Sequence, residues 1–140
     1  LHCALGNFHS IEVEDLTKHK MDSEQMVINK EACEIVNKTK REGRHVCAVG
    51  TSVLKATETA IGTDKMLKEY EGWTNKFIFP PYECGLADTM IANFYQSMSP
   101  LLMATAAFGG YDLVMEAYQK AVDNGYMFGC YGDAMLILND

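Results

Sequence analysis

The stretch EQMVINKEACEIVNKTKREGRHVCAV, residues 24–49, decides the expected fold. EQMVI is apolar enough for a strand, and Asn29 is a good N-cap for a helix that runs through about Arg41. Gly43 ends this helix, and HVCAV returns as a second strand. Small and apolar side chains on the helix have the spacing of one core-facing stripe: Ala32, Ile35, Val36 and Thr39. A strand, a helix and a buried-looking strand in this order predict an α/β fold with a parallel βαβ crossover.

The neighbouring segments continue this pattern. LHCAL, residues 1–5, is typical of a strand, and VLKATETA, residues 53–60, is typical of a helix. KFIF, residues 76–79, is predicted to be a strand that ends at the following Pro80, because proline cannot continue a ladder. The first half of the chain therefore reads as strands separated by helices.

The second half is predicted to be mainly helical. Residues 86–108 have a mostly helical pattern that Pro100 interrupts. Residues 112–124 give the strongest helix prediction, with Gly125 in the C′ position. The closing AMLIL, residues 134–138, is either a strand or the start of a helix, because a short apolar run does not distinguish the two.

Composition limits the class of protein. The chain has 140 residues, 48% of them apolar and 22% charged, which indicates one globular domain spanning residues 1–140. No apolar stretch approaches the roughly 20 residues of a membrane span, and no signal-peptide pattern begins the chain, so we expect a cytoplasmic protein without membrane contact. The net charge of −7 argues against a surface that binds nucleic acid throughout. The basic stretch NKTKREGRH, residues 37–45, is more typical of a solvated helix face than of an RNA contact.

The cysteines and histidines do not indicate a metal site. Five cysteines are an odd number at irregular spacing, and we expect them to be reduced. Cys47 lies in the apolar run VCAV and is interpreted as a small core residue rather than a nucleophile. The four histidines form no paired Cys/His arrangement, so no metal is expected.

Two polar stretches are candidates for binding or catalysis. In AVGTS, residues 48–52, a strand that ends in glycine and continues into a helix offers backbone N–H groups and hydroxyls to a carboxylate, ribose or phosphate. The alternative is that Thr51 or Ser52 simply caps the helix. In MDSE, residues 21–24, Asp22 and Glu24 would lie on one face of an extended segment and could act as a base or hold an amine. The alternative there is a polar loop.

Two further stretches have open interpretations. Asp133 follows Gly132 just before AMLIL, where it either caps a helix or binds a ribose diol or a cationic group. GWTNKFIFPPY, residues 72–82, contains four aromatic side chains. Stacking of a base on them is conceivable, but an aromatic strand packed into a core is the better default.

Several stretches together resemble one family. They are VEDLTKHKMDSEQ, VCAVGTSVLKATETA, GWTNKFIFPPY, LLMATAAFGGY and YGDAMLIL, in this order and spacing. They resemble the C-terminal part of the S-adenosylmethionine:tRNA ribosyltransferase-isomerase family of the queuosine pathway, over residues 1 to about 138. The start of the chain at Leu1, inside a strand-like segment, likewise indicates a fragment of a longer chain.

The resemblance implies an activity and a fold. Family members transfer the ribosyl part of S-adenosylmethionine to 7-aminomethyl-7-deazaguanine at the wobble position of tRNA and rearrange it, which gives epoxyqueuosine. Their fold is an α/β barrel with a small inserted β-barrel. This chain would match only the later part of the α/β barrel, without the N-terminal half and the insert, and the isolated fragment is expected to be inactive. The implied partners are tRNA and the missing half of the same enzyme.

The resemblance also implies site residues. The family's H-S-E motif falls on residues 22–24 with Asp22 replacing His, its V-G-T-T turn on 49–52 with the following Arg at Lys55, and its Y-G-D-A-M stretch on 131–135. The family's early H-V-G-x-G-T-F pattern is matched only partly, on residues 2–8. The expected catalytic residues are Glu24 and Asp133. The expected S-adenosylmethionine-binding residues are Gly50, Thr51, Ser52, Ser23, Tyr131 and Gly132.

One departure from the family favours an alternative function. Where the family usually reads NFHLPKSTLLM, residues 93–103 read NFYQSMSPLLM, so a His, a Lys and a Ser-Thr pair are lost and the proline has moved. The alternative is a non-catalytic, truncated or degenerate paralogue that at most binds nucleotide or RNA.

Overall fold

The computed structural model describes residues 1–139, in which five strands form two sheets. The strands are β1 (Glu24–Ile28), β2 (Cys47–Val49), β3 (Tyr70–Thr74), β4 (Thr89–Asn93) and β5 (Ala134–Leu138). The helices are α1 (Lys30–Arg41), α2 (Thr51–Ala60), α3 (Pro100–Gly109) and α4 (Tyr111–Asp123), with short 3₁₀ turns at Leu5–Phe8 and Leu16–Lys18.

The sheets mix parallel and antiparallel pairing. β1 pairs with β3 in an antiparallel two-stranded sheet, and the other sheet has the order β2-β4-β5, with β2 and β4 parallel and β5 antiparallel. The α/β class is confirmed, but within residues 1–139 these sheets do not close into a barrel. The predicted crossover β1–α1–β2 is wrong, and the parallel crossover runs from β2 to β4 instead. The residues of β1 alternate between buried and exposed, a pattern typical of an antiparallel strand with one covered face.

Helix α1 has the predicted ends but a different buried face. Asn29 is the N-cap, and its Oδ1 accepts a hydrogen bond from the Ala32 amide at 2.9 Å. The predicted stripe is wrong at Ile35, which is 59% exposed, whereas Cys33 is buried. The helix is therefore rotated so that Cys33 points towards Met26 of β1 and both belong to one core cluster.

Three other predictions of secondary structure are wrong in whole or in part. Residues 1–4 are not a strand and are joined to β1 by one backbone bond, from His2 N to Gln25 O at 2.7 Å. KFIF is not a strand either, because the Thr74 hydroxyl accepts from Lys76 N at 3.2 Å in a local turn that ends β3. Part of the predicted helix 86–108 is strand β4, which is paired on both sides.

The C-terminal helices and strand follow their sequence signals. Ser99 caps α3 through a hydrogen bond from Leu102 N to its Oγ at 3.1 Å, with Pro100 in the first turn. The prediction of α4 is confirmed, and Gly125 follows it with a φ of +72°. AMLIL is strand β5, so the helical alternative is wrong.

Two apolar clusters form most of the core. One lies between the β2-β4-β5 sheet and helices α2 and α3, and the other between the β1-β3 sheet and α1. The first contains Ala48, Leu54, Met90, Ala92, Phe108 and Ile137; the second contains Met26, Cys33, Leu67 and Leu86. The interpretation of Cys47 as a core residue is wrong, because β2 turns Ala48 inward and Cys47 outward.

Side chains of α1 hold two segments of the second cluster in place. The Asn37 amide makes two hydrogen bonds to the backbone of Leu67, donating to the carbonyl at 2.8 Å and accepting from the N–H at 2.7 Å. Lys40 donates to the Leu86 carbonyl at 2.7 Å. The loop 61–67 and the segment before β4 are both held by one helix.

No helix within residues 1–139 is both long and apolar enough to cross a membrane.

Candidate functional site

A buried ion pair lies at the centre of the candidate site. Glu24, the first residue of β1, is only 2% exposed, and its Oε2 accepts from the Lys55 ammonium at 2.5 Å. Its Oε1 accepts from the Ala4 amide at 2.8 Å and from Asn7 Nδ2 at 2.7 Å. Opposite charge and three donors compensate the loss of solvent around this carboxylate.

Lys55 reaches Glu24 from the first turns of α2. Gly50, with a φ of +95°, is the N-cap of this helix and has no side chain to cap it, so the interpretation of Thr51 or Ser52 as the cap is wrong. Thr51 is buried, and it lies four residues before Lys55, hence on the same helix face. Ser52 is half-buried, with its hydroxyl 3.3 Å from the Cys3 thiol.

A pocket opens beside this helix start. The side chains of Asn7, Thr51, Ser52 and Lys55 line one part of it. Lys76, Phe77, Pro100 and Leu101 are among the residues that line the rest. The pocket has a free volume of about 20 Å³, enough for about one water molecule, and residues with hydroxyl, amide and ammonium groups contribute to its lining, so it could contact one polar group of a ligand that extends beyond it.

Asp22 and Glu24 both lie against the segment 4–7 but differ in burial. Glu24 is buried, whereas Asp22 and Ser23 are exposed and precede β1. Asp22 lies against Gly6, where a Cβ atom would stand 2.4 Å from its Oδ2. The MDSE stretch therefore contributes one carboxylate to the buried site, and the other remains in solvent.

A second buried carboxylate was missed by the sequence reasoning. Glu58 of α2 is 3% exposed and accepts from the amides of Gly85 and Leu86 at 2.9 and 3.1 Å. It also accepts from the Tyr82 hydroxyl at 3.1 Å, and Lys76 donates to that hydroxyl at 3.1 Å. Helical spacing could have indicated that Glu58 is buried, because it lies four residues after Leu54 and therefore shares the inward face of the helix.

Burial and the charge of Glu58 raise the pKa values of two nearby groups, Tyr82 and Cys84. The pKa of Tyr82 is raised above its ordinary value, first by burial and then by Glu58. Burial, followed by the same charge, raises the pKa of the Cys84 thiol to about 12. Tyr82 therefore stays a neutral phenol that donates to Glu58 and leaves its oxygen free to accept from Lys76.

The aromatic stretch divides between packed and exposed rings. Phe77 and Phe79 are half-buried with centroids 4.8 Å apart, and Phe77 also lies 4.8 Å from the His19 ring. Trp73, in contrast, is 63% exposed on β3. The expectation of a packed aromatic cluster thus applies to the phenylalanines and not to the tryptophan.

Asp133 closes a loop and does not cap a helix. Its Oδ2 accepts from the Met127 amide at 2.8 Å, and its own amide donates to the Met127 carbonyl at 2.7 Å. A Cβ on Gly132 would stand 2.2 Å from that carbonyl oxygen, so the close approach requires glycine. The helix-cap interpretation is wrong because β5 follows. Tyr131, at the tip of this loop, is 98% exposed.

A second pocket places this loop near the first site. Its lining comprises Asn7, Phe8, Tyr95, Gln96, Ser99, Leu101, Gly129 and Cys130. Asn7 and Leu101 line both pockets, so the loop 127–133 and the altered segment 95–100 lie beside the Glu24 site. Of the predicted site residues, Glu24, Thr51 and Ser52 are brought together with Lys55. The other predicted site residues are not among the lining residues of either pocket: Ser23, Gly50, Tyr131, Gly132 and Asp133.

The described part of the chain contains no group of three or more His, Cys, Asp and Glu side chains that could hold a metal ion.

Curated relatives resemble the chain over nearly its whole length. It is 63% identical over 139 residues to the S-adenosylmethionine:tRNA ribosyltransferase-isomerase of Phocaeicola vulgatus, covering 99% of this chain and 40% of that protein. It is 64% identical over 138 residues to the protein of the same name from Parabacteroides distasonis, again at 99% and 40% coverage. The chain spans about 40% of the length of these relatives.

A solved structure and a family model agree with these relatives. The crystal structure of an S-adenosylmethionine tRNA ribosyltransferase from Thermotoga maritima matches with a TM-score of 0.75 and 43% sequence identity. That match covers 80% of this chain and 39% of the other. The family model described as queuosine biosynthesis protein matches residues 1–137. The chain belongs to the queuosine biosynthesis protein family.

Proposed function

We propose that this chain supplies part of an S-adenosylmethionine:tRNA ribosyltransferase-isomerase. The reaction would transfer the ribosyl group of S-adenosylmethionine to 7-aminomethyl-7-deazaguanine in tRNA and isomerise it, which gives epoxyqueuosine and releases adenine and methionine. The identity of 63% to an enzyme of that name, over 99% of the chain, supports this activity. The rest of the enzyme, including the parts that would complete an α/β barrel, would come from the three fifths that the match leaves out.

The observation that carries the proposal is the Glu24–Lys55 pair beside a small pocket whose lining includes Thr51 and Ser52. S-adenosylmethionine has ribose hydroxyls, a carboxylate and adenine nitrogens, which can accept hydrogen bonds from Thr51, Ser52 and Lys55. We assign the turn at Gly50 to the same ligand. Because both oxygens of Glu24 already accept hydrogen bonds, its first task would be to orient Lys55 and Asn7.

The loop 127–133 would form the neighbouring wall. We assign Tyr131 and Gly132 to ligand binding, together with the exposed Ser23. Asp133 would be the second acidic residue of the reaction, which needs a base for the carbon next to the sulfonium or for the attacking amine. Its hydrogen bond from Met127 N fixes the carboxylate, and its exposure leaves the other oxygen accessible.

A chimeric enzyme tests the activity. In this chimera, the 139 matching residues of the Phocaeicola vulgatus enzyme are replaced by this chain. We expect the chimera to release adenine from S-adenosylmethionine when tRNA carrying 7-aminomethyl-7-deazaguanine is present, and not when that base is absent. A folded chimera that releases no adenine, beside an active parent enzyme, would contradict the proposal.

Two substitutions in the chimera test the residue assignments. Glu24→Gln is expected to lower the rate of adenine release at least tenfold, whereas Glu34→Gln, on the exposed face of α1, should leave it unchanged. An unchanged rate in Glu24→Gln would refute its assignment. Asp133→Asn keeps an oxygen that can accept from Met127 N, so the melting temperature should hardly change while S-adenosylmethionine binds more weakly.

The altered segment 95–100 favours a second candidate, a paralogue that binds but does not catalyse. Tyr95, which lines the pocket next to Asn7, stands where the family usually has His, and Met98 and Pro100 stand where it has Lys and Thr. Calorimetric titration of the chimera with S-adenosylmethionine separates the two functions. Binding without adenine release would favour the non-catalytic paralogue, and restoration of activity by the family's NFHLPKSTLLM sequence at 93–103 would locate the cause.

A further inference from the structure

Lys76 brings a positive charge without a close counter-ion to the small pocket beside Glu24. Two lysines, Lys55 and Lys76, are among the residues that line this pocket. The Lys55 ammonium is 2.5 Å from the Glu24 carboxylate, whereas within residues 1–139 no carboxylate oxygen lies within 4.0 Å of the Lys76 ammonium. The charge of Lys55 is therefore compensated inside the protein, and that of Lys76 is available to a ligand.

The Lys76 ammonium is held in place by a chain of hydrogen bonds. Its Nζ donates to Tyr82 Oη at 3.1 Å and lies 5.3 Å from the centroid of the Tyr82 ring. That hydroxyl donates to Glu58 Oε2 at 3.1 Å, and two backbone amides donate to the other carboxylate oxygen. An ammonium has three N–H donors, and in the described part of the chain only one of them has a protein acceptor. Two donors thus remain for a ligand.

The backbone of Lys76 is tied to the same helix as its ammonium. Lys76 N donates to Thr74 Oγ1 at 3.2 Å, and this oxygen lies 2.8 Å from the hydroxyl of Thr59 in α2. Glu58 is the neighbouring residue of that helix, whose first turn also lines the pocket. Because both ends of the lysine are held, it loses less conformational entropy on binding a ligand than a free surface lysine would.

We propose that the Lys76 ammonium binds the carboxylate of S-adenosylmethionine, and that Glu58, acting through Tyr82, positions this ammonium. The inference rests on the proposed function, because it takes S-adenosylmethionine as the ligand of this pocket. The carboxylate is the single anionic group of that ligand, and a hydrogen bond between two charged groups is among the strongest available. A free volume of about 20 Å³ admits one polar group, while the rest of the ligand extends outside.

A phosphate of tRNA fits Lys76 less well than this carboxylate. Binding of the nucleic-acid backbone depends on clustered lysines and arginines at the surface. Lys76 is half-buried, and among the described lining residues of the pocket the other cation, Lys55, is already paired with Glu24. One uncompensated charge in a small pocket favours a single carboxylate.

Removing the carboxylate from the ligand and the ammonium from the protein tests this contact. The chimera defined above is titrated calorimetrically with S-adenosylmethionine and with decarboxylated S-adenosylmethionine, which lacks that one group. Lys76→Met should weaken binding of the first ligand at least tenfold and change binding of the second less than twofold. Lys76→Arg keeps a cation and should recover most of the loss. An equal change for both ligands would overturn the inference.

A lysine outside the pocket provides the matched control. Lys68 is 54% exposed and is not among the residues that line the pocket. Lys68→Met removes the same charge from the protein, so it should leave the dissociation constants of both ligands unchanged. If Lys68→Met weakened S-adenosylmethionine binding as much as Lys76→Met, the effect would be one of net charge and the proposed contact would be wrong.

Tyr82→Phe tests the positioning by Glu58. This change removes only the hydroxyl between the ammonium and the Glu58 carboxylate, so the preference for S-adenosylmethionine over the decarboxylated ligand should fall at least threefold. Combined with Lys76→Met, it should cause no further loss of preference, because both changes act on one contact. Equal weakening of both ligands by Tyr82→Phe would show a purely structural role and overturn the positioning.

Kinetics of adenine release separate this inference from the proposed function. Lys76→Met should raise the KM for S-adenosylmethionine, with kcat and the KM for tRNA changed less than twofold. A raised KM for tRNA with unchanged affinity for S-adenosylmethionine would identify a phosphate contact, and the inference would be wrong. A chimera in which Lys76 selects the carboxylate but no adenine is released would support the contact and contradict the activity. An active chimera whose affinities do not respond to Lys76→Met would do the opposite.

Discussion

The Lys55 ammonium and the Glu24 carboxylate form an ion pair with almost no exposure to water. Loss of one partner leaves the other charge buried, so Lys55→Met should lower the free energy of unfolding by roughly 3–5 kcal/mol. Glu24→Gln combined with Lys55→Met removes both charges and should cost less than the two single changes added together. Urea unfolding of the four proteins in the cycle measures the difference.

An exposed ion pair with a similar nitrogen–oxygen distance provides the control. Lys68 and Asp64 lie 2.6 Å apart, but both side chains are 54% exposed. Water replaces either partner, so Lys68→Met should leave the unfolding free energy nearly unchanged. Equal effects of Lys68→Met and Lys55→Met would contradict the role of burial.

Cys84 makes stability depend on pH in the alkaline range. Its pKa is raised from 9.0 to about 12 in the folded protein, by burial and then by Glu58. Between these values the unfolded chain loses the thiol proton while the folded chain keeps it, so stability falls as pH rises from 9. The difference in unfolding free energy between the native protein and Cys84→Ala should shrink between pH 8.5 and 10.5. Parallel pH profiles of the two proteins would refute this.

Two glycines of the loop 127–133 differ in how well alanine would fit in their place. A Cβ at Gly132 would overlap the Met127 carbonyl, whereas one at Gly129 would meet no atom within 4 Å, although its φ is +97°. Gly132→Ala therefore requires a backbone shift and should cost more than Gly129→Ala, for which about 1 kcal/mol of backbone strain is expected. Urea midpoints of both variants test this order, and the reverse order would contradict it.

Elements with local signals were predictable from the sequence. Asn29 caps α1, and Gly125 follows α4. Both residues act on neighbours in the sequence, so the helix ends that they mark could be predicted. β4 was missed because its strand state depends on partners distant in sequence, β2 and β5. The β1–α1–β2 crossover was wrong for the same reason, since the partner of β1 is β3, which lies beyond α2 in the chain.

The candidate site was predictable in part. The family resemblance led to Glu24, Thr51 and Ser52, and Lys55 connects them, because it bonds to Glu24 and lines one pocket together with Thr51 and Ser52. The role of Glu58 was not predicted, because its hydrogen-bond donors, the amides of Gly85 and Leu86, are distant in sequence and come close only when the chain folds. Asp133 does not cap a helix, because AMLIL pairs with β4 and therefore forms a strand.

At the scale of the whole molecule, α2 connects the two sheets. Lys55 bonds to β1, the Thr59 hydroxyl lies 2.8 Å from that of Thr74 in β3, and Leu54 packs in the core of the larger sheet. We expect the sheets to unfold together. Urea transitions followed by fluorescence of Trp73, the single tryptophan, and by far-ultraviolet circular dichroism should coincide. A fluorescence change at lower urea would show that the small sheet unfolds alone.

The two hydrogen bonds between the Asn37 side chain and the Leu67 backbone have a kinetic consequence. The Asn37 side chain presents a donor and an acceptor to one residue, as a neighbouring strand would, although Leu67 lies outside the named strands. The Leu67 amide should therefore exchange its proton with deuterated solvent as slowly as amides inside a sheet. Asn37→Asp keeps an acceptor but loses the donor, so it should speed up this exchange, and with it the opening of the loop that α1 holds closed.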